Sequence, residues 1–152
     1  MWAIVDDDMF GHLNQWKWSA IWVSRTKKFY VLRTIYLENK KVKSILMHRE
    51  VMRTPEGFET DHINGNTLDN RKQNLRIATR SQNAINSPKR TNNSSGFKGV
   101  HWHKAGRKWS AQITLNKKIM HLGSFVSKIA AAKVYNDAAT RYFGKFANLN
   151  LL

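Results

Sequence analysis

The apolar residues of the last third of the chain repeat first at every second position and then at helical spacing. The alternating face consists of Trp109, Ala111, Ile113 and Leu115. Two further alternating segments, 99–103 and 119–125, flank it across short polar turns, and apolar residues recur at helical spacing over 128–143. Ser127 precedes that segment as an N-cap residue and Gly144 follows it as a C-cap residue. The pattern predicts a three-stranded antiparallel sheet backed by one helix.

The first third also alternates with a period of two. Its alternating residues are Trp16, Trp18, Ala20 and Trp22. Segments 29–32 and 42–47 flank the polar residues 38–41, which are typical of a hairpin turn. We expect a small antiparallel sheet over residues 1–54.

The middle third is polar and rich in asparagine. The residues Asn64-Gly65-Asn66 predict a tight turn, because glycine and asparagine tolerate positive φ. A short helix is expected over 77–85, with a buried face of Ile77, Ser81, Ala84 and Ile85, and Pro88 ends it by about Ser87. Residues 87–95 have the composition of a linker.

These patterns predict an α+β protein in three segments. We expect an N-terminal β segment over 1–57, a polar segment over 58–90 to which 47–57 contributes a strand, and a C-terminal sheet with its helix over 91–152.

Positive charge is concentrated in the C-terminal segment. The 152 residues include 26 Lys and Arg against 10 Asp and Glu, a formal net charge of +16. Residues 91–152 hold ten basic residues and one acidic residue, Asp137, for a net charge of +9. Such an imbalance favours a polyanionic partner, most simply nucleic acid.

Composition excludes several classes of protein. The chain has no cysteine, which excludes a disulfide scaffold, a cysteine-ligated zinc finger and a thiol nucleophile. Its longest apolar runs are far shorter than the roughly 18–20 residues that span a membrane. Asp6, Asp7 and Asp8 stand where a signal peptide would carry positive charge. We therefore expect an intracellular protein that is not secreted and has no membrane partner.

Polar side chains around the Asn-Gly turn suit metal-assisted phosphodiester hydrolysis. The Asp61 carboxylate and the Asn83 amide carbonyl are oxygen ligands of the type that hard divalent cations prefer. The adjacent His62 suits a general base near neutral pH. Arg80, three residues before Asn83, shares its side of the helix and could neutralise charge on the phosphate. Adjacent strand residues point to opposite faces, so Asp61 and His62 act together only if the strand ends or twists there.

Spacing alone also fits a surface Asp-His pair among ordinary turns, but the middle third resembles the HNH endonuclease family, and more narrowly its phage and intron-associated homing branch. The resemblance rests on 61–66 (DHINGN), 68–71 (LDNR), 74–76 (NLR) and 81–83 (SQN). It implies that residues 58–90, with a strand from 47–57, form a ββα-metal fold, in which a β-hairpin and a helix surround one divalent metal ion, Mg²⁺ or Mn²⁺. No small-molecule cofactor is expected.

The resemblance also implies roles for individual residues. His62 corresponds to the general base, Asn74 to the residue that braces the loop and orients that base, and Asp61 and Asn83 to the metal ligands. Residues 47–49 (MHR) resemble a strand upstream of the motif, and His48 could reach the site or have a structural role. Thr60 stands where relatives carry an apolar residue, a departure expected to affect packing.

The C-terminal third resembles the APETALA/ethylene-response-factor DNA-binding domain. The matching segments are 96–100 (GFKGV), 109–113 (WSAQI), 121–125 (HLGSF), 130–139 (AAAKVYNDAA) and 143–150 (FGKFANLN). The resemblance implies a sheet that enters the DNA major groove. The positions that contact DNA in the family correspond to Lys98, His101, His103, Gln112, Thr114, Ile119 and His121. Plant relatives carry mostly Arg and Trp there, so we expect a different target sequence.

The leading hypothesis is a site-specific, metal-dependent endonuclease of homing type, acting on double-stranded DNA as a monomer or a homodimer. The resemblance places it in the cytoplasm of a phage-infected bacterium or in an organelle. The N-terminal sheet could add DNA contacts through Lys27, Lys28, Arg33, Lys40 and Lys41. The alternative is a non-catalytic DNA-binding regulator on the same scaffold, which would be expected to lack Asp61, His62 or Asn83. An RNA-binding or RNA-cleaving protein ranks lower, because the outward strand positions are mainly His, Lys, Gln and Thr.

Overall fold

The chain forms a mixed α/β structure with a three-stranded antiparallel sheet towards each end of the sequence. The computed structural model describes residues 1–87, 89 and 93–152, which fall into two compact units, Met1–Asn83 and Ala84–Leu152. Positions 88 and 90–92 of the expected linker lie outside the described residues. Among the helices of the described part of the chain, none has the length and apolar character needed to cross a membrane.

The first unit begins with a helix that the sequence did not predict, α1 (Asp7–Leu13). The three-stranded sheet follows, as expected, with strands β1 (Ser19–Val23), β2 (Lys28–Tyr36) and β3 (Val42–Leu46) in the order β1-β2-β3. Both strand pairs are antiparallel. Acidic Asp7 and Asp8 occupy the first turn of α1, where they favour the helix through its dipole.

The predicted MHR strand is wrong, because these residues open a helix, α2 (Met47–Met52). Met47 and Val51, four residues apart, enter a core shared with Leu13, Val31 and Leu75, and this spacing is that of a helix. Arg53 in the left-handed conformation ends the helix, and its backbone N–H donates to carbonyls of the last turn. The N-terminal sheet and the middle segment are therefore built around one core.

The middle segment forms an antiparallel hairpin and a short helix. Strand β4 (Glu59–His62) pairs with β5 (Leu75–Ala78), and α3 (Arg80–Ile85) follows. The helix was expected from residue 77, but Ile77 lies in β5 opposite Thr60 and is 40% exposed. The helix begins later because Thr79 and Gln82 cap it reciprocally, each side chain accepting the other's backbone N–H. Ser81 and Ala84 are exposed, so the predicted buried face is also wrong.

The second unit matches its prediction closely. Strands β6 (Val100–His103), β7 (Lys108–Leu115) and β8 (Lys118–Phe125) form an antiparallel sheet, and α4 (Lys128–Phe143) packs against it. The Ser127 side chain accepts the N–H groups of Ile129 and Ala130, as expected of an N-cap. The alanines that α4 buries, Ala131, Ala132 and Ala139, are 0% exposed. Small side chains let the helix axis lie close to the sheet.

Candidate active site

The adjacent residues Asp61 and His62 lie at the end of β4, and both are 5% exposed. On this short strand Glu59 and Asp61 share one face, while Thr60 and His62 share the other. Ile63 continues the pairing with a backbone hydrogen bond of 2.8 Å to the Asn74 carbonyl, and the Gly65 N–H then donates to the His62 carbonyl. The strand therefore ends in a tight turn directly after His62, as the Asn-Gly sequence predicts.

The Asp61 carboxylate is held by an arginine from the neighbouring strand. Arg76 lies opposite Asp61 in β5, and its Nε and Nη2 donate to Asp61 Oδ2 at 2.8 and 2.6 Å. Both partners are largely buried, so the ion pair holds the carboxylate in one position on its face of the hairpin. Sequence reasoning did not identify Arg76, although the cross-strand position follows once the hairpin register is known.

A second carboxylate, Glu59, connects the hairpin to helix α3. Asn83 Nδ2 donates to Glu59 Oε2 at 2.5 Å, which brings the Asn83 amide to the Asp61 side of β4. Asn83 is thereby turned with its amide nitrogen towards Glu59. Sequence reasoning missed Glu59, and the signal that could have found it is its position two residues before Asp61 on the same strand face.

His62 lies among buried polar side chains on the other face of β4. Its Nε2 is 3.2 Å from Asn70 Oδ1, and the ring of His48 meets it edge-on with 5.0 Å between centroids. Burial lowers the pKa of His62 from its ordinary value, and the Asn70 hydrogen bond and the Asp61 charge oppose that shift. Burial and the neighbouring His62 lower the pKa of His48 to about 3. Both rings are therefore held in an environment that favours the neutral imidazole.

Asn74 spans the loop between the two strands of the hairpin. Its Oδ1 accepts the Asn64 N–H at 3.0 Å, and its Nδ2 donates to the Asp69 carbonyl at 2.8 Å. These contacts join both ends of the loop, which is what bracing requires. No direct contact with His62 accompanies them among the described hydrogen bonds, so any orienting role of Asn74 acts through the loop and stays a prediction.

The N-terminal sheet supports the same loop. Lys28 Nζ donates to the Gly65 carbonyl at 2.8 Å, and Thr67 Oγ1 donates to the Phe29 carbonyl at 2.5 Å. Arg33 lies over the Trp16 ring, 4.1 Å from its centroid, and pairs with Glu50. Lys28 and Arg33, two of the five N-terminal basic residues expected to contact DNA, are thus used in internal contacts.

The remaining three cations of that set, Lys27, Lys40 and Lys41, are exposed. Arg80 is also exposed, in the first turn of α3 and one turn before Asn83. These positions leave the four side chains accessible to a phosphate backbone.

The donor atoms on the Asp61 face of β4 suit a hard cation. Asp61, Glu59 and Asn83 offer carboxylate and amide oxygens, the ligands that Mg²⁺ and Mn²⁺ prefer. Within residues 1–87, 89 and 93–152, no three His, Asp or Glu side chains lie close enough to form a complete site. The two ligands expected from the sequence, Asp61 and Asn83, would leave the other coordination positions to phosphate oxygens and water.

The second unit presents most of the expected DNA-contacting residues on one face of its sheet. Strand register places His101, Gln112, Thr114, Ile119 and His121 on the face away from α4, and all but the half-buried Gln112 are exposed. His121 Nδ1 is 3.1 Å from Ser110 Oγ, and exposed His103 Nδ1 accepts the Gly106 N–H at 3.1 Å.

Lys98 differs from the other residues of that set. Its Nζ donates to the carbonyls of Ile85 and Ser87 at 2.6 and 2.7 Å. Burial lowers the pKa of Lys98 to about 8. The amine is therefore engaged by main-chain carbonyls within the second unit, and its expected phosphate contact would compete with them.

The hairpin carries Asp-His at the end of its first strand and is followed by a helix that carries Asn83, which is the arrangement that the HNH resemblance implies. Residues 49–85 match the HNH endonuclease family. The match covers α2 from Arg49 onward, the hairpin and α3, so every predicted catalytic and metal-binding residue lies inside it.

Two viral proteins are similar to this chain over longer stretches. An uncharacterised HNH endonuclease of Acanthamoeba polyphaga mimivirus is 29% identical over 129 residues, which cover 81% of this chain and 66% of that protein. Protein 3.8 of Escherichia phage T7 is 38% identical over 64 residues, 42% of this chain and 53% of that protein. The chain thus spans between about half and two thirds of these relatives.

The C-terminal region is similar to a plant protein. APETALA2-like protein 2 of Oryza sativa is 44% identical over 59 residues, which cover 38% of this chain and 13% of the rice protein. The chain therefore has a segment that matches the HNH endonuclease family and a C-terminal region that is similar to an AP2-type domain.

Proposed function

We propose that the protein is a metal-dependent DNA endonuclease of homing type. The observation that supports this most directly is the geometry at β4, where buried Asp61 and His62 end the strand and Asn83 of α3 reaches the Asp61 side. The match of residues 49–85 to the HNH endonuclease family supports the same assignment.

In the proposed reaction, water attacks a phosphodiester while His62 accepts its proton. Burial lowers the pKa of His62, which keeps the imidazole neutral and able to accept a proton at neutral pH. Asp61 and Asn83 would hold the divalent cation, and Arg76 keeps the Asp61 carboxylate in place. When bound at these residues, such a cation would polarise the phosphate as a Lewis acid and stabilise the leaving oxygen. Arg80 contributes positive charge against the phosphate.

The C-terminal sheet is proposed to position the nuclease on its target. The major groove admits a two-stranded β-ribbon, and the exposed face carries His101, His121 and Thr114 as side chains able to hydrogen-bond base edges or phosphates. The net charge of +9 over 91–152 supplies sequence-independent attraction. A single catalytic centre distinguishes few sequences, so a separate reading surface supplies site preference.

One chain supplies one catalytic centre, so we propose that a monomer nicks one strand and that a double-strand break needs a homodimer or two successive nicks. Mg²⁺ or Mn²⁺ is the proposed ion. The protein is proposed to act inside the cell, where double-stranded DNA is available.

The metal site is tested by cleavage of a supercoiled plasmid library in graded Mg²⁺ or Mn²⁺, with EDTA as the blank. We expect nicked or linear product with metal and none with EDTA. Asn83→Ala should raise the metal concentration for half-maximal cleavage by roughly 10–100-fold, the usual cost of perturbing a metal site. Exposed Ser81→Ala on the same helix is the control and should behave as the parent protein. An unchanged metal requirement in Asn83→Ala would remove Asn83 from the ligand set.

A further inference from the structure

A buried asparagine outside the predicted site contacts the ring of His62. Asn70 is 1% exposed and is one of the two largest fully buried side chains among the described residues. Its Oδ1 lies 3.2 Å from His62 Nε2. A fully buried amide needs hydrogen-bond partners, because an unsatisfied one loses its hydration without compensation. The contact with His62 therefore supplies one of the hydrogen bonds that a buried asparagine needs at this position.

The orientation of the Asn70 amide follows from its second contact. Asn70 Nδ2 donates to the Leu68 carbonyl at 3.3 Å. Turning the amide over would place its oxygen against that carbonyl, where neither atom can donate. The amide nitrogen therefore faces Leu68 and the amide oxygen faces His62. Because an amide oxygen only accepts hydrogen bonds, His62 Nε2 must be the donor.

We propose that Asn70 is a positioning residue that keeps a proton on Nε2 of His62, so that Nδ1 is the nitrogen that takes the proton from the attacking water. This inference rests on the proposed role of His62 as general base. The nitrogen opposite a fixed hydrogen bond is the one that exchanges protons, since the bonded N–H is retained in both the neutral and the protonated ring.

Hydrogen bonds from the N-terminal segment and from the next turn hold the backbone around Asn70, and this fixes the position of its side-chain amide. The Asn70 N–H donates to the Ile4 carbonyl at 2.7 Å, and the Ile4 N–H donates to the Leu68 carbonyl at 2.8 Å. The N-terminal segment thereby pairs with the loop as a short parallel bridge between Ile4 and Asp69. From the next turn, Asn74 Nδ2 binds the Asp69 carbonyl. A tautomer is set reliably only by an acceptor that cannot move away, and these contacts provide one.

The His48 ring limits the remaining freedom of His62. The two rings meet edge-on at 5.0 Å, and Tyr30 meets His48 at 6.0 Å between centroids. Packing against His48 restricts rotation of the imidazole, while Asn70 selects which nitrogen carries hydrogen. The two contacts have different effects, and only the second is lost when the acceptor at position 70 is removed.

The direct test is the tautomer of His62 in the protein without DNA or metal. Long-range ¹H–¹⁵N correlation spectra of ¹⁵N-histidine-labelled protein at pH 8 show which ring nitrogen is protonated, and the His62→Gln spectrum identifies the His62 signals among the six histidines. We expect a single species protonated on Nε2. A His62 ring protonated on Nδ1 in the parent protein would overturn the proposal without any variant at position 70.

A matched pair of variants separates tautomer control from simple packing. Asn70→Leu and Asn70→Asp have similar size, and both lose the donor to Leu68, but only the aspartate keeps an acceptor towards Nε2. We expect mixed tautomers and a roughly 10–100-fold lower kcat with unchanged KM for Asn70→Leu, and Nε2 protonation with most of the activity for Asn70→Asp. The exposed loop variant Gln73→Ala controls for changes in the loop. A pure Nε2 tautomer together with full kcat in folded Asn70→Leu would contradict the proposal.

These measurements distinguish failure of this inference from failure of the proposed function. If the parent protein shows the Nε2 tautomer but cleaves no DNA, the Asn70 contact stands and the nuclease assignment is wrong. If it cleaves DNA with His62 protonated on Nδ1, the nuclease assignment stands and the role of Asn70 is wrong.

Discussion

Acid should destabilise the first unit through its buried, neutral His48. The folded protein holds the pKa of His48 at about 3, whereas an unfolded histidine has a pKa of about 6.5. Because the folded pKa is the lower one, the unfolded chain binds an additional proton below pH 6.5. The stability that neutral His48 contributes is therefore present above pH 6.5 and is lost progressively as the pH falls towards 3.

The size of the loss follows from the two pKa values. One differential proton changes the free energy of unfolding by about 1.4 kcal/mol per pH unit, so the His48 contribution falls by about 2.5 kcal/mol between pH 7 and pH 4.5. A small domain is stable by only about 5–15 kcal/mol, so this loss is a large part of the total. His62, whose pKa is also lowered by burial, acts in the same direction.

Urea unfolding of the parent protein and His48→Gln at pH 8, 7, 6, 5 and 4.5 measures the contribution. Glutamine is polar and does not titrate. Between pH 7 and pH 4.5, the free energy of unfolding of the variant should therefore fall by about 2.5 kcal/mol less than that of the parent protein. Between pH 8 and pH 7 the two proteins should run nearly parallel, which serves as the internal control. Equal losses in both proteins from pH 7 to pH 4.5 would refute a buried neutral His48.

Two further substitutions test the second unit. Gly99→Ala should cost at least about 2 kcal/mol in urea unfolding, because a Cβ there would lie 2.0 Å from the Tyr135 ring at a φ of +74°; a cost below 0.5 kcal/mol would show that the ring moves aside. Lys98→Met should cost about 1–3 kcal/mol, because the carbonyls of Ile85 and Ser87 lose their charged donor. If Lys98→Met instead leaves stability unchanged and lowers the salt dependence of DNA binding by about one charge, Lys98 contacts phosphate rather than these carbonyls.

The C-terminal sheet and helix were predictable because their signals are local and agree with each other. Alternation at Trp109, Ala111 and Ile113, the cap at Ser127 and the break at Gly144 all specify the same elements. Strands β7 and β8 have eight residues each and helix α4 has 16, which is long enough for their periodicity to be unambiguous. Tertiary packing therefore did not override the local preferences of these segments.

The short elements of the first unit were not predictable in the same way. Helix α2 has six residues, and the apolar run into Met47 continues a strand pattern, so only burial of Met47 and Val51 in a common core reveals the helix. Ile77 has the spacing of a helix face but pairs with Thr60 as a strand residue. In elements of four to six residues, packing decides between the two periods.

Around the candidate site, the sequence identified the chemistry-bearing residues more readily than their supports. Asp61, His62 and Asn83 stand out by type and by resemblance to a family motif. Glu59 lies outside the motif segments, and Asn70 lies inside one without an implied role, because the importance of both depends on the hairpin register and on a loop folded against Ile4. The roles of these two residues become visible only through contacts between residues that are far apart in sequence. A single sequence does not show which distant residues are in contact.

The central claim, that His62 is the general base of a metal-dependent nuclease, is tested most directly by measuring DNA binding and cleavage together in His62→Ala. On a plasmid fragment that the parent protein cleaves, the Kd of His62→Ala should stay within about twofold of the parent value. The single-turnover cleavage rate in Mg²⁺ should fall by roughly 10²–10⁴-fold, the usual contribution of a general base. Undiminished cleavage in His62→Ala, with DNA binding intact, would contradict the account.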